Sequence, residues 1–458
     1  MDYGNFVGFE TIGNATLIAY DNKPILVTDP WLSGHAFFGS FGNSHEIPEA
    51  QRKSIFESPF VWLSHGHPDH IDALVLEKLH GKQILLPDHV GNRIRDELIE
   101  QGFRVQVLKN CEWVGLSKRV RVLCLSDYFQ DAVLLIDING RLVININDAA
   151  DRAWGGTVKK IVCKYDKSYL LKFFGTGVGD MANFFDEFGK RVVPPSVKKK
   201  PLGRQIEFYT QLYGATDTIP FSSFHTYQRR DSCWANEYRS TIDELYDGFT
   251  DTKYKLHKPF ARVNCSDDNL ENIRPQQLER TPLDPIEFGD DWSQHLDSND
   301  NKKIARYFHA IESLVDHISF INFVVGGKTT TIELSKKRFK RGITFETPRA
   351  SLINAIENEV FDDLLIGNFT KTILHGDWDL PSLHPYFTPY VARYSDNGRA
   401  KSKKEVAAYF EIYKARAPFA FMLHRFERES ERRIRKFVGA NTAALQIPKK
   451  LYLFLKRA

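Results

Sequence analysis

Cysteine is scarce in this chain of 458 residues: there are five, Cys111, Cys124, Cys163, Cys233 and Cys265, with no Cys-x-x-Cys pair among them. An odd, scattered set excludes a disulfide framework and a thiolate metal cluster, and it fits a reducing compartment. A surplus of charge is missing too, since 62 Lys and Arg face 58 Asp and Glu for a formal net charge of +4. So even a balance leaves no electrostatic footprint for nucleic acid. No apolar run approaches the ~20 residues of a membrane helix, and Met1-Asp2-Tyr3-Gly4-Asn5 lacks the basic-then-apolar pattern of a secretory leader. The expectation is a cytoplasmic protein without a membrane span or a nucleic-acid partner, and a homo-oligomer stays open.

What is present is an ordinary globular composition, 42% hydrophobic and 26% charged. The length exceeds what one core usually organises. Residues 251–300 are acidic, Asn-rich and dotted with proline, so they read as a linker or surface excursion between a catalytic domain over 1–250 and an α+β accessory module over 301–458. In the first part, Phe6 to Tyr20 and Lys23 to Thr28 read as a hairpin around Asp21-Asn22, running into Asp29. Ala132 to Ile138 and Arg141 to Ile146 flank Asn139-Gly140, a two-residue turn whose positions both need positive φ, and that hairpin ends at Asp148. Phe60-Val61-Trp62-Leu63 is a short buried strand, and Ile71 to Leu79 reads as a helix. Lys198-Lys199-Lys200 reads as an exposed loop. In the second part a hairpin turns at Gly326-Gly327-Lys328, Pro348 opens a helix, and Lys403 to Val438 is helical and increasingly basic, with Arg425, Arg428, Arg432, Arg433 and Arg435.

The chemistry sits between that buried strand and the helix, in Ser64-His65-Gly66-His67-Pro68-Asp69-His70. His65 and His67 are one residue apart, so on extended backbone both imidazoles project to one side and can chelate one ion. Asp69 and His70 follow in a turn and can reach a second ion nearby. This run resembles the His-x-His-x-Asp-His motif of the metallo-β-lactamase superfamily, and the resemblance covers residue 6 to about residue 240. It implies an αββα sandwich, within the α/β (α+β) class, with two divalent metal ions at one edge of the sheets. It also implies that the early aspartate falls on Asp29, the metal-bridging aspartate on Asp148 and the last metal histidine on His225. Relatives place a further histidine upstream of the bridging aspartate, but here Asp127 stands in that region. A carboxylate ligand would shift the balance from zinc toward iron or manganese, whereas a loop aspartate capping a turn would leave the first ion with fewer protein ligands.

A narrower resemblance lies in Asp29-Pro30-Trp31-Leu32-Ser33-Gly34-His35-Ala36-Phe37, His45-Glu46-Ile47-Pro48, Ile144 to Asp148 and Phe224 to Asn236. These segments are similar to the CMP-N-acetylneuraminate hydroxylase group, in which an attached Rieske domain serves oxygen chemistry. This sequence has no paired Cys-x-His and Cys-x-x-His elements, so such a reaction would need an external reductant. The resemblance implies a pocket-lining His45. After His225, Tyr227, Arg229, Arg230 and Trp234 offer a phenol, two guanidinium forks and an indole suited to an anionic small molecule. With Asp231 the same arginines would brace the loop as an ion-pair network.

The expected function is therefore dinuclear metal-dependent hydrolysis of a small anionic substrate. Two ions on His65, His67, Asp69, His70, Asp148 and His225, with Asp127 as a further candidate, lower the pKa of a water, and Asp69 orients it. The alternative is a di-iron monooxygenase related to the hydroxylase group. The third is a non-catalytic binding protein that retains the fold.

Overall fold

Parallel strands that lie side by side end at the same edge of a sheet, and this places the site. The computed structural model describes residues 4–32, 34–152, 154, 156–175, 183–194, 201–222, 224–335, 341–378, 381–384 and 386–438, the last eight by backbone alone. Two sheets face each other. The first runs Asn269–Asn272, Ala261–Asn264, Val7–Ile12, Thr16–Asp21, Pro24–Thr28, Phe60–Trp62, Gln83–Pro87, Arg104–Leu108. The second runs Lys255–Leu256, Asp217–Phe221, Ser168–Phe173, Arg141–Asn147, Ala132–Ile138, Val120–Ser126, Trp113–Gly115. Phe9, Leu17, Leu26 and Trp62 of the first pack against Cys124, Leu134, Val143 and Leu171 of the second in one buried core. Helices Glu49–Glu57 and Arg93–Glu100 cover the outer face of the first sheet, and Thr157–Val162 and Leu202–Tyr213 that of the second. The layers are thus helix, sheet, sheet, helix, a mixed α/β architecture.

Pro24–Thr28 pairs in parallel with Phe60–Trp62, Thr28 opposite Trp62, so Asp29 and the histidine loop leave the sheet together. In the opposite sheet Arg141–Asn147, Ser168–Phe173 and Asp217–Phe221 are parallel neighbours, and their ends present Asp148, Lys172 and Ser222. The Asn139-Gly140 turn has φ of 52° and 78°, as the hairpin requires.

Several local expectations change. The segment from Phe6 to Tyr20 is two antiparallel strands joined at Gly13-Asn14, not one arm of a hairpin. The helix after the histidines is short, Ala73–Leu76 with a 3-10 turn Glu77–Leu79, because Asp72 caps it by accepting the N–H groups of Leu74 and Val75. The interval 251–300 contributes strands to both sheets of the sandwich. Lys403 to Val438 is two helices, Lys403–Arg416 and Pro418–Val438, because Pro418 cannot continue the first. Lys198-Lys199-Lys200 and the side chains of Arg432, Arg433 and Arg435 lie outside the described residues.

A third sheet, Arg191–Val192, Phe184–Phe185, Lys371–Gly376, Arg341–Glu346, Phe320–Val325, Lys328–Glu333, organises the C-terminal part around a second core with helices Ser298–Ala310, Arg349–Glu357 and Phe361–Ile366. Two of its strands come from residues 184–192, so the two parts are interleaved. Among the described residues, no helix is long and apolar enough to cross a membrane.

Candidate metal centre

Ser64 is the hinge of the histidine loop. Its N–H donates to Asp29 Oδ1 at 2.8 Å, and its hydroxyl lies 2.9 Å from His65 Nδ1 and 3.4 Å from His70 Nδ1. With Nδ1 engaged, His65 turns Nε2 inward, 2.8 Å from His67 Nδ1 and 3.9 Å from Asp148 Oδ2. His70 Nε2 lies 3.6 Å from the same Asp148 oxygen and 3.7 Å from Asp69 Oδ2. His65, His70 and Asp148 thus share one ligand-sized space. The far side of His70 is fixed by Asp29 Oδ2 at 3.4 Å and by the Asn147 side chain at 3.1 Å.

Each carboxylate is held so that one oxygen is left over. Asp69 Oδ2 accepts from Asn14 Nδ2 at 2.9 Å, and Asp148 Oδ1 from Ser222 Oγ at 2.8 Å. Asp29, Asn147 and Ser222 all take positive φ, 41°, 50° and 65°. Non-glycine residues accept that conformation where surrounding structure compels it, often at functional sites. His225 stands on a strand, His225–Tyr227, paired with Phe41–Asn43, and stacks on the Phe41 ring at 3.6 Å and 11°.

The polar atoms left over decide whether cations fit. Asp69 Oδ1, His70 Nε2 and both ring nitrogens of His225 are buried and have no hydrogen-bond partner among the described residues. Buried polar atoms are ordinarily paired, and these belong to the imidazoles and carboxylates that divalent ions take at ~2.0–2.2 Å. Donor atoms 2.8 to 3.9 Å apart match the spacing two ligands of one tetrahedral ion adopt, about 3.3 Å from those bond lengths. The residues fit divalent cations.

Charge is divided unevenly. Burial, with His70 and His67 nearby, holds His65 well below the ordinary histidine value. Burial opposes charge on His70 too, but Asp69, Asp148 and Asp29 outweigh it and hold it well above. Asp148 is partly exposed, and despite its desolvation it is drawn down to about 2 by His70 and Ser222. Burial and Arg239 push His225 well down. Neutral imidazole and ionised carboxylate are the forms that ligate, so His65, His225 and Asp148 are already in the ligating form, whereas His70 must give up a proton to a cation that enters.

Other expected site residues lie elsewhere in the fold. Asp127 is a corner of an ion-pair network: it accepts from Arg152 at 2.9 Å and from the Phe129 N–H at 2.8 Å, and Arg152 also reaches Asp131 at 3.0 Å. It is not among the groups that face His65 and His70. Arg229 is wholly buried, forked onto Asp231 and bonded to Asp290 at 2.7 Å, which makes it the brace of the His225 loop rather than a substrate fork. Arg230 points outward to Asp284, Trp234 donates to the Asn368 carbonyl under the Arg191 guanidinium, and Tyr227 accepts from Asn368. His45 is half-buried beside Ser44 and Phe260, and burial with Arg239 lowers its pKa.

The structure adds residues that sequence reasoning missed. Asn14 and Asn147 orient Asp69 and His70. His89 is buried with Nε2 3.3 Å from the Ser64 carbonyl. Asp362, from the C-terminal part, lies 3.2 Å from His67 Nε2, with Asp363 beside it. A separation of 295 residues carries no local signal.

No protein-family model matches the chain. Among curated proteins it is 29% identical over 132 residues to the inactive cytidine monophosphate-N-acetylneuraminic acid hydroxylase of Homo sapiens, covering 27% of this chain and 26% of that protein. The cytidine monophosphate-N-acetylneuraminic acid hydroxylase of Gorilla gorilla gorilla is 28% identical over 132 residues, 27% of this chain and 22% of its own length. The chain thus matches about a quarter of the length of these relatives. Solved structures that resemble it include an isothiocyanate hydrolase from Delia radicum gut bacteria (TM-score 0.34, 14% identity, 58% of this chain and 99% of that one). Two others are CmlA, a diiron beta-hydroxylase from Streptomyces venezuelae (0.35, 14%, 57% and 54%), and the metallo-beta-lactamase fold protein YhfI from Bacillus subtilis (0.31, 11%, 56% and 93%).

Proposed function

We propose that this chain is a dinuclear metal-dependent hydrolase on the metallo-β-lactamase fold, acting on a small anionic substrate. One observation carries the reading: Asp69 Oδ1 and His70 Nε2 are buried without hydrogen-bond partners beside the point where His65, His67 and Asp148 converge, and both nitrogens of His225, within electrostatic reach of Asp148, are likewise unpartnered among the described residues. His65 and His67 would hold one ion, and Asp69, His70 and His225 the other. Asp148, whose Oδ2 faces both His65 and His70, would serve both. Bound there, two divalent cations supply Lewis-acid activation of water and neutralise charge that develops on the scissile group.

The chain's own groups then have definite tasks. Asn14 fixes one oxygen of Asp69 and leaves the other to orient a water. Ser222 fixes Asp148, and Asp29 with Asn147 fixes the ring of His70. Support for an anionic substrate comes from Lys172, which sits opposite Asn147 in the sheet register within electrostatic reach of Asp148. Among the described residues it has no carboxylate partner, only the Tyr209 ring at 5.1 Å. Arg152, Arg393 and Arg428 gather around Phe129, where they face Asp127, Asp131 and Asp362, so the support for an anionic substrate rests on Lys172.

A second reading, an oxygen-activating di-iron hydroxylase, is favoured by the partial identity to the cytidine monophosphate-N-acetylneuraminic acid hydroxylases. Elemental analysis of chain purified with and without air separates the two. Two zinc ions and hydrolysis of anionic esters, amides or lactones support the first. Two irons and oxygen consumption with an added reductant would replace it by the second.

A further inference from the structure

We infer that Asp362 of the C-terminal part is a positioning residue of the metal centre, holding His67 as a ligand through Nδ1, so that the centre is completed only when that part is docked. This rests on the metal-binding reading above.

His67 has both ring nitrogens occupied by geometry. Nδ1 faces the space shared with His65 Nε2, 2.8 Å away, and Nε2 faces Asp362 Oδ2 at 3.2 Å. A ligating histidine commonly donates its second ring N–H to a carboxylate, which fixes tautomer and ring plane and makes the ligating nitrogen a better donor. Here the Nε2–H of His67 donates to Asp362, and Nδ1 is left as the lone-pair nitrogen beside His65. The inward-facing set is then His65 Nε2, His67 Nδ1, His70 Nε2 and Asp148 Oδ2.

Asp362 is well placed to act as a fixed point. It is 4% exposed, on the buried helix Phe361–Ile366. The preceding residue, Phe361, is caged by the rings of Phe308, Phe345, Phe387 and Phe323 at 5.3, 5.4, 5.9 and 6.2 Å. The backbone that carries the carboxylate therefore belongs to the second core, and a shift of that core moves the His67 ring. A separate clamp docks the same region: Arg93 of the first part donates to the carbonyls of Asn358 and Glu359. That clamp gives the control for an effect of docking alone.

The test uses the full chain, stripped with chelator and titrated with Co2+, reading cobalt per chain, affinity by chelator competition and the visible absorption of each bound ion. The unaltered chain is expected to take two ions. In Asp362→Ala one of the two should weaken by ~10- to 100-fold, with a change in its absorption, while the other is retained. Asp362→Asn, which can still accept from Nε2–H without a charge, should weaken it less. Arg93→Ala should keep both. Unchanged affinity at both positions in Asp362→Ala overturns the inference, as does an equal loss in Arg93→Ala. If the alanine variant does not fold, unchanged affinity in the isosteric Asp362→Asn overturns it alone. An unaltered chain that binds no cobalt overturns the metal-binding reading and this inference together, whereas two ions of unchanged affinity in every variant overturn this inference only.

Discussion

Asn14 donates its side-chain amide to Asp69 at 2.9 Å, and the same side chain accepts the Phe224 N–H at 3.0 Å, one residue before His225. A turn between the first two strands thus ties the histidine loop to the last histidine. The side chain is almost wholly buried, so Asn14→Ala leaves two polar partners without a bond, each costing ~1–3 kcal/mol. The variant is expected to lose about 2–4 kcal/mol in denaturant unfolding of the cation-free chain and to hold its second ion less tightly. Unfolding that coincides with the unaltered chain would rule this role out.

His225 makes the opposite prediction for stability. Without cations its two buried nitrogens have no partner among the described residues, while its ring stacks flat on Phe41. His225→Phe keeps the stack and removes the unpaired atoms. In chelator the variant should be as stable as the unaltered chain or more so, by up to ~1–3 kcal/mol. With zinc the order should reverse, because a ligand bound only in the folded state stabilises it and the variant has lost one. Parallel melting curves with and without zinc check this. The same order in both conditions would remove His225 from the centre.

Legibility followed distance along the chain. The Asn139-Gly140 hairpin and the buried Phe60–Trp62 strand were readable because turn chemistry and apolar runs are local signals. The run from His65 to His70 was readable because its spacing alone places imidazoles together. Asp29 and Asp148 came from the resemblance, and the structure brings both to His70. Asn14, Asn147 and Asp362 were invisible because a hydrogen bond across 55, 77 or 295 residues depends on strand ends and packing that no window of sequence contains. Asp127 shows the converse. Its position upstream of Asp148 is where the resemblance implied a ligand, but Arg152, from the loop after Asp148, claims it.

That pairing can be tested directly. Asp127 is buried and bonded to Arg152 and the Phe129 N–H, so Asp127→Asn strips one charge from a buried network and leaves Arg152 with Asp131 alone. Breaking such a pair is costly, and roughly 2–4 kcal/mol of stability should be lost. Metal content should stay at the level of the unaltered chain. A drop of one ion per chain, with stability preserved, would make Asp127 a ligand after all.

Lys172 is expected to weaken the fold it sits in. Burial, reinforced by Arg152, lowers its pKa to about 8 from 10.5. The unfolded chain therefore binds this proton more tightly than the folded one, and the ammonium costs stability wherever it must stay charged. The cost is complete below about pH 8 and fades as pH rises toward 10.5, where the unfolded lysine also loses its proton. Lys172→Met, which keeps the stem and removes the charge, should be more stable than the unaltered chain by about 1–3 kcal/mol at pH 7. The gap should narrow by pH 10 and close only above 10.5, where the unfolded lysine has also lost its proton. Chemical denaturation at the two pH values measures the gap, and a gap that is absent at pH 7 or wider at pH 10 contradicts it. If the predicted gap is found, a cation kept against its own cost beside Asp148 is what a site for an anionic substrate requires, and the same variant should bind such a substrate more weakly while its metal content is unchanged.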